Sequence, residues 1–125
     1  MLADSQAFSG FAVKDLEAAR AFYADTLGLD VSEEHGLLFL RLADARPTLV
    51  YPKPDHEPGN FTILNFPVDD LDATVDGLAE RGVRFERYEG FDQDERGIAR
   101  GGGNGPDIAW FTDPSGNILS VLRQP

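Results

Sequence analysis

With 125 residues, 42% hydrophobic and 26% charged, the chain has the size of one domain and a globular composition. It has no cysteine, which excludes disulfides, thiolate metal sites and a thiol nucleophile. A net charge of −11 argues against nucleic acid or an anionic membrane surface as a partner and favours neutral or cationic ligands.

The first residues, Met1 to Phe8, lack a basic segment followed by an apolar run, and no apolar stretch reaches the length of a membrane span. A cytoplasmic protein with no membrane partner is expected. Phe8 to Val13 reads as a buried strand, stopped by the cap signal at Asp15. Leu16, Ala19, Phe22, Tyr23 and Leu27 then recur at helical spacing, and Gly28 closes that helix. Leu29 to Ser32, Leu37 to Leu42 and Thr48 to Tyr51 read as three short strands, the first two joined by the polar turn Glu33-Glu34-His35-Gly36. Residues 53–60, within a run rich in proline, form a connector between a first module (7–52) and a second (61–124).

The second module repeats the first. Phe61 to Val68 is its opening strand, with Pro67 at an edge or at the last paired position. Leu71, Val75, Leu78 and Ala79 line one face of a helix that starts after Asp70 and ends at Gly82. Val83 to Tyr88 alternates apolar and charged residues, as a half-exposed strand does. Residues 89–106 are glycine-rich and irregular, a lid or a mobile loop. Ile108 to Thr112 and Asn117 to Leu122 are strands around the turn Asp113-Pro114-Ser115-Gly116. Strand, helix and three strands, twice over, give an α+β fold: two curved mixed sheets with helices outside and a central cleft.

The motifs Val13-x-Asp15-Leu16, Ala21-Phe22-Tyr23, Leu27-Gly28-Leu29, Val68-Asp69-Asp70-Leu71, Gly82-Val83 and Asp113-Pro114-Ser115-Gly116-Asn117 together cover nearly the whole chain. In this order and spacing they resemble the vicinal oxygen chelate superfamily of glyoxalases, extradiol dioxygenases and bleomycin-resistance proteins. The resemblance implies the paired βαβββ fold. It also implies a divalent metal held by a His or Glu in each of four places. Those places fall here on Phe8, on Leu49 or Val50, on Ile63 and on Ser120, none of which supplies a carboxylate or imidazole. No metal and no cofactor are therefore expected.

Strand alternation from the same positions turns Phe8, Gly10 and Ala12, Leu49 and Tyr51, Ile63 and Asn65, and Ser120 and Leu122 towards a ligand. Ser9, Phe11 and Val13 then pack under the first helix, and Leu64, Phe66 and Val68 under the second. Either Trp110 or Phe111 faces inward, with Trp110 favoured, and Arg100 is the charged group placed to reach a ligand. His35 and His56 fall in a turn and in the connector, where a histidine is inert far more often than it is a ligand. The expected function is metal-free binding of an aromatic or cationic small molecule by a homodimer, similar to the bleomycin-resistance branch. The alternatives are a lyase, isomerase or dioxygenase-type enzyme in the same cavity, and an interaction module with no small ligand. Catalysis is disfavoured because no Asp or Glu falls at an inward strand position in this register.

Overall fold

An aspartate opens each helix of the computed structural model, which describes residues 1–124. The carboxylates of Asp15 and Asp70 accept hydrogen bonds from the Ala18 and Ala73 amides at 3.1 and 3.0 Å, satisfying N–H groups that a helix start leaves bare. Gly28 and Gly82 follow the helical segments at positive φ, 74° and 92°, as the sequence requires. The chain divides between Glu57 and Pro58, inside the proline-rich connector, into two compact units.

The first unit holds β1 (Gly10–Val13), α1 (Leu16–Ala21), β2 (Asp30–Glu34), β3 (Leu37–Arg41) and β4 (Thr48–Pro52), its sheet running β1-β4-β3-β2. The helix is shorter than its apolar spacing predicts. After Ala21 it widens into a π turn, Phe22–Thr26, which places the buried Tyr23 ring 5.7 Å from the Phe11 ring of β1. Leu38, Leu40 and Val50 are fully buried in this unit's core. β2 and β3 meet in a two-residue turn at His35 and Gly36, both at positive φ, the geometry that matches strand twist.

The second unit holds β5 (Thr62–Pro67), α2 (Leu71–Glu80), β6 (Asp107–Thr112) and β7 (Ile118–Arg123). Its sheet has three strands, ordered β5-β7-β6, with Pro67 the last paired residue of edge strand β5. Val83 to Tyr88 is not the fourth strand that its alternation predicts. The outer edge of β6 is shared between two segments: Phe85 bridges to Phe111, and Ala99 bridges to Ile108 through a pair of backbone hydrogen bonds of 2.8 and 2.9 Å. No single segment runs along the whole edge, so no regular ladder forms there. The Gln93 side chain supplies part of what is missing, accepting from the Tyr88 amide at 2.8 Å and donating to the Glu86 and Gly97 carbonyls at 2.9 and 2.7 Å. The β6–β7 turn is set by Asp113, whose buried carboxylate accepts from the amides of Ser115 and Asn117 and from the Asn117 side chain at 2.9–3.0 Å.

Candidate functional site

Register across the second sheet decides what its two faces carry. Trp110 pairs with Ser120, which pairs with Asn65, so these three lie in one row on one face. Phe111 faces the other way, its ring 5.8 Å from that of Phe85. Leu119 and Leu64, paired with each other and with Phe111 in register, belong to that second face.

On the first face, aromatic rings gather around Trp110. The Tyr88 ring stands nearly perpendicular to the indole at 5.6 Å, and the Phe91 ring tilts against it at 4.8 Å, separations at which edge-on aromatic pairs attract. Together with Ile118 on the floor and Asn60, Phe61 and Thr62 on the far side, they line a cleft of about 360 Å³. The indole is 8% exposed, whereas Phe61 and Phe91 at the rim are 64% and 55% exposed. The rim is therefore an exposed apolar patch. Burial, and then the neighbouring Glu86 carboxylate, push the Tyr88 hydroxyl pKa up, so it remains a neutral donor. Glu86 is half-buried on the same face; its amide donates to the Trp110 carbonyl at 2.8 Å and its carboxylate sits 3.5 Å from the Thr112 hydroxyl.

Of the residues singled out from sequence, Trp110 alone lines this cleft. Asn65, Ser120 and Leu122 share its face: the Ser120 hydroxyl donates to the Asn65 side-chain oxygen at 2.6 Å, and Leu122 pairs with Pro67. Ile63 falls where the β5–β7 register shifts. In the first unit, Gly10 pairs with Leu49 and Ala12 with Tyr51, which puts Gly10, Leu49 and Tyr51 on one face and Phe11 and Val50 on the other. A Cβ at Gly10 would lie 3.0 Å from the Leu49 carbonyl oxygen, so the glycine permits the close approach of β1 to β4. Phe8 precedes β1 rather than belonging to it; it is 55% exposed, with the Arg46 guanidinium 5.8 Å from its ring. Arg100 does not line the cleft. Asp72, Asp94 and Asp107 take up its guanidinium at 2.9, 3.2 and 3.7 Å.

Sequence reasoning missed Tyr88, Phe91, Phe61 and Thr62 as lining residues. Only the alternation Glu86-Arg87-Tyr88, referred to Phe85, carried a signal for any of them.

The four positions at which the resemblance implies metal ligands do not fit a cation. Ser120 offers a neutral hydroxyl already donated to the Asn65 side chain, and Phe8, Leu49 or Val50, and Ile63 offer hydrocarbon. Among the described residues no group of three or more His, Asp or Glu is placed to hold a metal ion, and no helix is long and apolar enough to cross a membrane.

The family model described as Glyoxalase/Bleomycin resistance protein/Dioxygenase superfamily matches residues 6–121. The mitochondrial methylmalonyl-CoA epimerase of Bos taurus is 30% identical over an alignment 132 positions long, gaps included, that covers 90% of this chain and 70% of that protein. A glyoxalase/bleomycin resistance protein from Catenulispora acidiphila is similar in structure, with a TM-score of 0.63 at 26% identity, covering 95% of this chain and 97% of that one. TnmS3, an antibiotic binding protein from Streptomyces sp. CB03234, shares the fold with a TM-score of 0.67 at 24% identity, covering 98% of each chain.

Proposed function

The chain belongs to the Glyoxalase/Bleomycin resistance protein/Dioxygenase superfamily, and on that premise we propose that it binds a planar aromatic small molecule, neutral or cationic, without a resident metal. The observation that carries the proposal is the cleft around Trp110, Tyr88 and Phe91. Its volume of about 360 Å³ lies in the range of small-molecule sites. Its walls are aromatic, suited to stacking on a flat ligand, and to a cation lying over a ring face. The net charge of −11 raises the local concentration of cations and repels anions. In this reading the ligand is held by burial, in a cytoplasmic homodimer whose exposed sheet edges are covered by pairing; sedimentation at micromolar concentration as a monomer would remove the dimer.

The test is a calorimetric titration against planar aromatic compounds, cationic, neutral and anionic, repeated with Trp110→Ala. Binding of cationic or neutral members is expected, weakened about 10- to 100-fold by the substitution, the loss of one aromatic wall. Absence of binding across the panel, or affinity indifferent to Trp110, overturns the proposal.

A second reading, an isomerase, is favoured by the 30% identity to an epimerase. Epimerisation needs a group that takes a proton and one that returns it. Glu86 and Tyr88, on the cleft side of the sheet, are the titratable pair nearest that role. Incubation with methylmalonyl-CoA in deuterated water separates the readings. Deuterium uptake lost in Glu86→Gln makes the chain an isomerase, and its absence leaves the binding protein.

A further inference from the structure

Two arginines of the segment following Phe91 grip the acidic face of α2. The Arg96 guanidinium contacts Asp72 at 2.7 Å and meets both carboxylate oxygens of Asp76 at 3.1 Å, as a fork does. Arg100 straddles Asp72 at 2.9 and 3.4 Å and reaches Asp94 and Asp107. Asp72 and Asp76 lie one helical turn apart and share a face of α2. Asp94 is itself fixed, its carboxylate accepting from the Arg96 and Ile98 amides at 2.9 Å.

The same segment is tied to the cleft. Gln93 bonds to the Tyr88 amide and the Glu86 carbonyl, and the Arg87 guanidinium reaches back to the carbonyls of Gln93 and Asp94. Ile98, between the two arginines, is fully buried and anchors that end of the strap. Residues 86–100 thus run from the aromatic wall of the cleft to the charged surface of the helix, with Phe91 and Tyr88 at one end and Arg96 and Arg100 at the other.

We propose that Arg96 and Arg100 are positioning residues, and that their ion pairs with Asp72 and Asp76 hold Phe91 and Tyr88 closed against Trp110. The cleft's aromatic wall then depends on charge at a surface the ligand never touches. Calling that wall a ligand wall rests on the binding function proposed above; the mechanical link does not. Each pair is partly exposed, and one such pair contributes little alone. Here both cations share the Asp72 carboxylate, and Arg96 adds Asp76 on the same helix face, so the pairs act together and weaken together in salt. At about 1 M salt the screening length falls to about 3 Å, comparable to the pair separations.

Trp110 is the sole tryptophan, so it reports on its own cover. The experiment measures quenching of its emission by acrylamide, a neutral probe, in the full chain at low salt and at about 1 M sodium chloride, with free N-acetyltryptophanamide as the baseline. In the native chain the quenching constant is expected to rise about twofold with salt, as the strap loosens locally. Arg96→Gln/Arg100→Gln is expected to show the raised value at both salt concentrations with an unchanged far-ultraviolet dichroism spectrum. Arg96→Lys/Arg100→Lys restores the salt response. A quenching constant in the native chain indifferent to salt overturns the proposal even if the glutamine variant fails to fold. So does a folded glutamine variant that still responds like the native chain. No ligand enters the measurement: a positive result with no compound ever bound would retire the binding function and leave the strap.

Discussion

The two units begin alike, with a strand, an aspartate cap and a helix, and then diverge in how they finish their sheets. The first completes four strands and seals its core with Leu38, Leu40 and Val50. The second stops at three; the edge of β6 meets short backbone bridges from Phe85 and Ala99, and the segment that supplies them is tied by the Gln93 side chain and by ion pairs from Arg96 and Arg100 to α2. One unit is closed by packing, the other by packing on one face and polar ties along an edge. The open aromatic cleft is in the second. Where a regular strand is given up, the backbone no longer dictates alternation, and rings such as Tyr88 and Phe91 are free to converge on one indole.

Leu40→Ala tests the packing side of this contrast most severely. It removes a fully buried side chain between β2 and β4 and is expected to cost about 3–4 kcal/mol in chemical denaturation, while leaving Trp110 emission of the surviving folded fraction unchanged. Asp113→Ala is the polar counterpart. It strips the acceptor from three donors in the β6–β7 turn and is expected to cost about 2–3 kcal/mol, with Trp110 emission shifted to the red because β6 carries the indole. Equal spectral behaviour of the two variants would break the contrast.

Acid sharpens it further. Hydrogen bonding from Arg100 lowers the Asp72 pKa below the ordinary 3.8. The Asp94 pKa is also lowered: burial opposes this, but the amides of Ile98 and Arg96 and the Arg100 side chain outweigh it. Carboxyls lowered on folding add stability above their unfolded pKa and lose it as pH falls through the folded value. Acrylamide access to Trp110 should therefore stay flat from pH 7 down to about 4 and rise below 3.8. Opening at pH 5 to 6 would place control elsewhere. The smallest effect belongs to the first unit's hairpin. His35 sits at φ 54°, and His35→Asn, better suited to that turn, should stabilise the chain by about 0.5 kcal/mol in thermal melts.

Local chemistry made much of the fold legible. Asp15 and Asp70 before apolar runs announced both helices, and Asp113-Pro114-Ser115-Gly116 announced a turn, because caps and tight turns are settled within a few residues. The ends of elements set by distant partners were not legible. Val83 to Tyr88 alternates as a strand does, but it shares the β6 edge with Ala99, and its Tyr88 amide and Glu86 carbonyl are met by the Gln93 side chain, choices made across the fold. The site divided in the same way. Alternation left Trp110 and Phe111 as the two choices on their strand and carried a signal for Tyr88, whereas Phe91 comes from a stretch without period, and Arg100 found Asp72 in α2, far away in sequence.

At the neck of the glycine-rich loop the chain nearly touches itself: a Cβ on Gly101 would lie 2.1 Å from the Gly105 oxygen, and the Asn104 amide closes on the Gly101 carbonyl at 3.1 Å. Gly102 and Gly103 beyond it have no atom near enough to hinder a side chain. Because the two stems meet at one point, a peptide spliced into the tip would start and finish where the native loop does. The tip is thus a mounting point for a label or affinity handle, and the pinch itself is a place where nothing larger than hydrogen fits.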